Sequence, residues 1–244
     1  ARPPLRRGTR PEVIPVSYAQ SRLWFINRMD PSSGTYNMPG AVRMRGDVDV
    51  DALRAAVRDV VIRHEPLRTR FPSVDGEPIQ EIVDVEDVED QVRLSVHTTT
   101  EADLVGAVAS QAAAGFDLVT QVPFRANLFE TPSDGHVLLV VLHHIVGDGA
   151  SLRPLIVDLL VAYGGARVNG LAPAWEPLPV QYADFAVWQR STLGSPDDEN
   201  ARMARELAYW SEELAGQPEL LALPHRPAPA RRSRRAEAVT WTPR

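Results

Sequence analysis

The chain has 244 residues, 44% of them hydrophobic, with 26 Lys plus Arg against 32 Asp plus Glu and no cysteine. That length fits one large domain or two small ones with a sizeable core. The formal charge of -6 and basic residues dispersed except for the tail Arg231, Arg232, Arg234 and Arg235 argue against a nucleic-acid partner, and the absence of thiols excludes disulfides, thiolate metal sites and cysteine nucleophiles. No apolar run approaches the ~20 residues that span a bilayer. The N-terminal ARPPLRRGTRPEVIP lacks the apolar segment of a signal peptide, so residues 1–16 read as a linker and the protein as cytoplasmic, with no membrane partner.

Helical and extended signals then alternate. Ser17 can cap a helix carrying Leu23, Trp24 and Ile26. Residues 41–46 alternate as a half-buried strand would. Leu53, Ala56, Val57, Val60 and Val61 follow Asp51 at helical spacing, and this helix ends near Arg63. Extended segments are predicted at 67–71, 79–83 and 92–96, the first two separated by the turn-like VDGEP. A helix covers 101–114, and strands at 124–129 and 137–142 are joined by TPSDGH. The second of these is apolar on both faces, which places it inside the sheet. Leu152, Leu155, Ile156, Leu159, Leu160 and Tyr163 mark another helix, with Pro154 in its first turn and Gly164 and Gly165 closing it. Two more helices lie in QYADFAVWQR and MARELAYWSEELAG, and residues 224–244 read as a linker.

The stretch VLLVVLHHIVGDGASL, 137–152, sets titratable groups at the end of the most apolar strand and at the entry to a helix. Side chains alternate along a strand, so His143 and His144 point to opposite faces and cannot share one task. Divergent histidines with Asp148 as the only nearby carboxylate do not make a metal site. The chain has no G-x-S-x-G elbow for a hydrolytic serine, and Ser151 fits a helix cap better than a nucleophile. One histidine is expected to be a hydrogen-bonded core residue. The other remains for chemistry on the strand-to-helix loop.

These residues carry a resemblance. His143, His144, Asp148 and Gly149 reproduce the HHxxxDG signature of nonribosomal peptide synthetase condensation domains, in the chloramphenicol acetyltransferase-like superfamily. SYAQSRLWFI, TYNMP, RHEPLRTRF, FDLVTQVPFRANLF, QYADFAVWQR and LAYWSEELAG resemble further blocks of that family in order. The resemblance implies an α/β lobe with a mixed, mainly antiparallel sheet flanked by helices. Residues 17–223 would be the N-terminal, donor-side lobe of a two-lobed domain, with the cleft between the lobes as the active site.

The implied reaction is amide bond formation between a donor peptidyl or acyl thioester and an acceptor aminoacyl thioester. Both are held on phosphopantetheine arms of upstream and downstream carrier proteins, with no cofactor bound directly. A C-terminal condensation lobe and an adenylation domain of the same module would be further partners, in antibiotic or other secondary metabolism. His144 would accept a proton from the attacking amine or orient it. His143 would be chiefly structural. Asp148 would pair with an arginine, Arg68 first and Arg63 as the alternative, and the Gly149 N–H would line the site. Ala150 departs from the family's bulky aromatic. Leu152 weighs against an epimerisation domain, and the two histidines exclude heterocyclisation. A non-catalytic docking or recruitment lobe is the other alternative, and the wording of several segments leans toward an L-configured donor. The face bearing His144 should expose apolar surface or an open groove.

Overall fold

The computed structural model describes residues 3–218, apart from 133, 134, 168, 169 and 172. The main sheet is mixed: β2 (Asn37–Arg45), β8 (Gly135–His143), β7 (Phe124–Thr131) and β6 (Leu94–Thr98) lie in that order, antiparallel except for the β6–β7 pair. β8 is an inner strand with neighbours on both edges, which is why it is apolar on both faces. Leu139 and Val141 are completely buried on one face, and Leu138 and Leu142 nearly so on the other. Each such side chain contributes about 1.5–3 kcal/mol on transfer from water. β2 is an edge strand, and Pro39 is tolerated within it for that reason.

Helices cover both faces. α2 (Val50–Arg63) buries Leu53, Ala56, Val57, Val60 and Val61, the stripe expected from their spacing, and its N-cap is Asp49, whose carboxylate accepts from the Ala52 N–H. It shares one face with α5 (Gly149–Leu160). α4 (Glu101–Ala113) lies over the other face, where the Asn37 side chain donates to the carbonyls of Ala112 and Ala114. α1 (Tyr18–Met29) starts at a reciprocal cap in which Ser17 and Gln20 bond each other's backbone N–H. A small second sheet joins β1 (Ile14–Pro15), β3 (Thr69–Arg70) and β4 (Ser73–Val74) to β5 (Glu77–Ile82), with α3 (Val88–Gln91) next in the chain. α6 (Tyr182–Leu193) and α7 (Arg202–Glu213) complete the order. No helix among the described residues is long and apolar enough to cross a membrane.

Four expectations need correction. Pro154 lies inside α5 (Gly149–Leu160) rather than in its first turn. The segment 67–71 is only partly extended: Glu65–Arg68 form a 3-10 turn, begun by Pro66, and β3 is two residues long. Gly164 and Gly165 do not close the helix after the motif, because a π-helical stretch, Val161–Arg167, runs through them. The expected linker 1–16 is exposed over most of 3–13 but is anchored to the fold at three points. The Pro3 carbonyl accepts from Trp188 Nε1, Val16 is buried, and β1 joins the small sheet. Arg10 donates to Asp184 at 2.7 Å and to Glu65 at 2.8 Å, bridging α6 and the 3-10 turn. The expected linker at 224–244 lies outside the described residues.

Asp184 is buried at 4% exposure. Burial pushes its pKa up, and hydrogen bonds from Arg10 and the Gln181 N–H outweigh that and hold the carboxyl below its ordinary range. Removing the cation leaves this buried anion under-compensated. Arg10→Ala should therefore lower unfolding free energy by about 3 kcal/mol, read as a lower urea midpoint. A midpoint within 0.3 M of the wild type, about 0.5 kcal/mol at typical urea slopes, would show that residues 3–16 contribute little to the fold.

Candidate functional site

The end of β8 separates the two histidines as strand alternation requires. His143 is 1% exposed, on the face shared with Leu139 and Val141. Its ring sits 6.3 Å from Phe116 in an edge-on arrangement and 6.2 Å from Tyr36. The Ile145 N–H donates to its Nδ1 at 3.1 Å, so the neutral ring carries its proton on Nε2. Burial, with repulsion from His144 as a lesser cause, pushes its pKa down to about 4. His143 is thus a neutral core residue that satisfies a backbone donor.

His144 is exposed and turns the other way. Its own N–H continues the β2 ladder by donating to the Tyr36 carbonyl at 2.8 Å. The Gly147 carbonyl lies 2.7 Å from its Nδ1. A carbonyl can only accept, so Nδ1 holds the proton of the neutral ring and Nε2 presents a lone pair outward. Neighbouring histidines therefore carry opposite tautomers. The backbone carbonyl that sets the second one had no signal in the sequence beyond the loop's brevity.

Asp148 is the N-cap of α5. Its carboxylate accepts from the Ser151 N–H at 2.9 Å and the Ser151 hydroxyl at 2.7 Å, and those bonds, the hydroxyl's first, hold its pKa below the ordinary range. The expected arginine pair is not formed. Arg68 donates to the Val83 carbonyl and lies 3.9 Å from Glu65, while Arg63 binds Asp158 at 2.9 Å and stacks over Trp175. Arg68 is thus held by Val83 and the 3-10 turn and Arg63 by α5 and Trp175, while Asp148 is exposed with its carboxylate bonded to Ser151 three residues away. Asp158, which also meets His64 Nε2 at 2.7 Å, ties the far end of α5 to α2. Gly149 occupies the first position of α5 with a negative φ, and a Cβ there would meet nothing within 4 Å. Among the described residues no close backbone approach requires that glycine.

The sheet face below His144 continues as an apolar groove of about 220 Å³ between β2, β8 and α5, lined by Gly40, Val42, Leu138, Leu142, Leu155 and Leu160 among others. Val42 and Leu160 are 52% and 62% exposed, so the groove is open, as expected for this face.

A sequence model described as Condensation domain matches residues 11–242, and the chain belongs to that family. It is 47% identical over 224 residues to a dimodular nonribosomal peptide synthase of Bacillus subtilis, covering 91% of this chain and 9% of that protein. It is 47% identical over 222 residues to an isonitrile lipopeptide synthase of Mycobacterium tuberculosis, again 91% of this chain and 9% of the relative. Among solved structures, the X-domain from teicoplanin biosynthesis, in complex with OxyB, superposes with a TM-score of 0.82 at 36% identity over 94% of this chain and 50% of that one. The chain thus spans less than a tenth of these curated relatives and half of the solved domain.

Two stability outcomes follow. Because the folded pKa of His143 is depressed to about 4 from an ordinary 6.5, the unfolded chain binds the extra proton first. Stability should be unaffected by this group above pH ~6.5 and fall by up to about 3 kcal/mol as pH drops toward 4. His143→Gln should flatten that slope in denaturation curves recorded between pH 7 and 4.5, and an equal slope in both proteins would contradict the neutral-core assignment. Asp148→Ala should cost about 1 kcal/mol, the value of an exposed cap, where a buried ion pair would cost about 3–5 kcal/mol.

Proposed function

We propose that the chain is the motif-bearing lobe of a condensation domain that joins a donor acyl or peptidyl thioester to an acceptor aminoacyl thioester, both delivered by carrier proteins, with His144 at the reacting centre. The observation that carries this reading is the bare Nε2 of an exposed imidazole whose other nitrogen is occupied by the Gly147 carbonyl. The acceptor amine attacks the thioester carbonyl carbon. A C–N bond forms, the C–S bond breaks, and the donor thiolate leaves. Nε2 takes the proton that the amine sheds and can return it to the thiolate, so the ring ends neutral. The fixed tautomer means no ring flip is needed before the proton moves.

The second lobe of the domain would supply the other wall of the cleft, since His144 here faces open solvent. Two phosphopantetheine arms must meet within a few ångströms, and confinement of that kind lowers a barrier through lost translational entropy. A second reading, a recruitment lobe without turnover, is favoured by the likeness to the X-domain, which was solved in complex with OxyB.

In a complete two-lobed domain supplied with loaded carrier proteins, His144→Ala should lower single-turnover peptide transfer by about 10²–10⁴-fold, the range of general acid–base contributions, with an unchanged denaturation midpoint. Transfer within a factor of about three of wild type, under 1 kcal/mol of barrier, would remove His144 from the chemistry. No transfer by the wild-type domain, with intact carriers, would favour the recruitment reading.

A further inference from the structure

A single peptide group connects the helix cap to the imidazole. The plane between Gly147 and Asp148 has its carbonyl accepting from His144 Nδ1 at 2.7 Å and its N–H donating to Ser151 Oγ at 3.1 Å. The Ser151 hydroxyl donates to Asp148 Oδ1 at 2.7 Å. All three donors point the same way along this path: Nδ1–H to O=C, N–H to Oγ, O–H to Oδ1. Aligned hydrogen bonds polarise one another, by perhaps 10–30% per bond. A carboxylate at one end therefore makes the Gly147 carbonyl a stronger acceptor at the other. The path also fixes a direction in space, because a peptide plane held at both its oxygen and its nitrogen cannot rotate without losing both bonds.

We propose that Ser151 is a positioning residue: its hydroxyl couples the Asp148 carboxylate through the 147–148 peptide to His144, holding the ring proton on Nδ1 and leaving Nε2 as the free base. The same alignment favours the imidazolium that forms when Nε2 is protonated, since its Nδ1–H then points down a series of dipoles ending on an anion. Asp148 thereby acts on the histidine without touching it. A cap alone does not need this hydroxyl, because the 151 N–H donates to Asp148 Oδ1 independently at 2.9 Å. Ser151→Ala removes the relay and leaves the helix cap in place. The inference deepens the reading of His144 as base, but it concerns the tautomer of the ring, which can be read without turnover.

The test is long-range ¹H–¹⁵N correlation spectroscopy of the histidine-labelled 244-residue chain in mildly alkaline buffer, where histidine rings are neutral. In the wild type, His144 should show a protonated Nδ1 and a bare Nε2. His143, whose Nδ1 accepts from Ile145, should show the reverse and so reports on the integrity of the fold. In Ser151→Ala the Nε2–H form of His144 should rise from a trace to a major species with His143 unchanged, and Ser151→Thr, which keeps a hydroxyl, should restore the wild-type pattern. Asp148→Asn keeps a good cap and an acceptor for Ser151 but removes the charge; its Nε2–H population should fall between those of the wild type and Ser151→Ala. A wild-type His144 pattern in Ser151→Ala would overturn the proposal, as would Nε2–H in the wild type itself. Should Ser151→Ala lose the His143 signature, Asp148→Asn decides alone: an unchanged His144 ring there rules out the coupling. Loss of transfer in His144→Ala bears on the function, and the tautomer bears on the relay, so each can fail while the other stands.

Discussion

The two-residue period of a β-strand, applied at the end of β8, is the constraint on which the site depends. β8 is paired along its whole length with β2 on one edge and along most of it with β7 on the other, so its register is locked from both sides. Parity then decides that His143 enters the core and His144 leaves it. A slip of one residue would exchange them, placing an imidazole that needs solvent against Phe116 and one that needs Ile145 in the open. The apolar character of Val137 to Leu142 serves this end as much as stability does. Each buried residue that fixes the register also fixes which histidine is available.

The loop that follows is held between two anchored elements. At its start, the His144 N–H extends the β2 ladder onto Tyr36. At its end, α5 begins with a reciprocal cap between Asp148 and Ser151. α5 is itself tied at its far end by Asp158 to Arg63 and His64 of the α2 terminus. A short loop between two fixed ends has few conformations left, which is why a backbone carbonyl can serve as the orienting group that many imidazoles find in a carboxylate side chain. On the same sheet face, the open groove beside α5 presents apolar surface next to the site. In the family to which the chain belongs the solved relatives are about twice as long.

Much of the architecture was legible in local pattern. The Ser17 cap, the stripe of α2 and the interior position of β8 each rest on spacing within one element, and the divergence of His143 and His144 needed only the strand period. What was not legible depended on distant partners or on competition between local bonds. Residues 3–16 look like a linker because the partners of Arg10 lie 55 and 174 positions away. The π-helical stretch through Gly164 and Gly165 has no pattern that separates it from a helix end. The Asp148 error is different. The D-x-x-S spacing of a cap was present in the sequence, and the reading toward an arginine came from family resemblance. A carboxylate three residues from a helical hydroxyl satisfies itself locally before Arg68 or Arg63, 80 and 85 positions away, can compete.

The division of the pair can be measured directly. Folded chain treated with diethyl pyrocarbonate and mapped by mass spectrometry should be modified at His144 at a rate near that of a free histidine peptide, with His143 protected until denaturant unfolds the core. Modification of His143 in the folded protein at a rate comparable to that of His144 would contradict the parity on which the site is built.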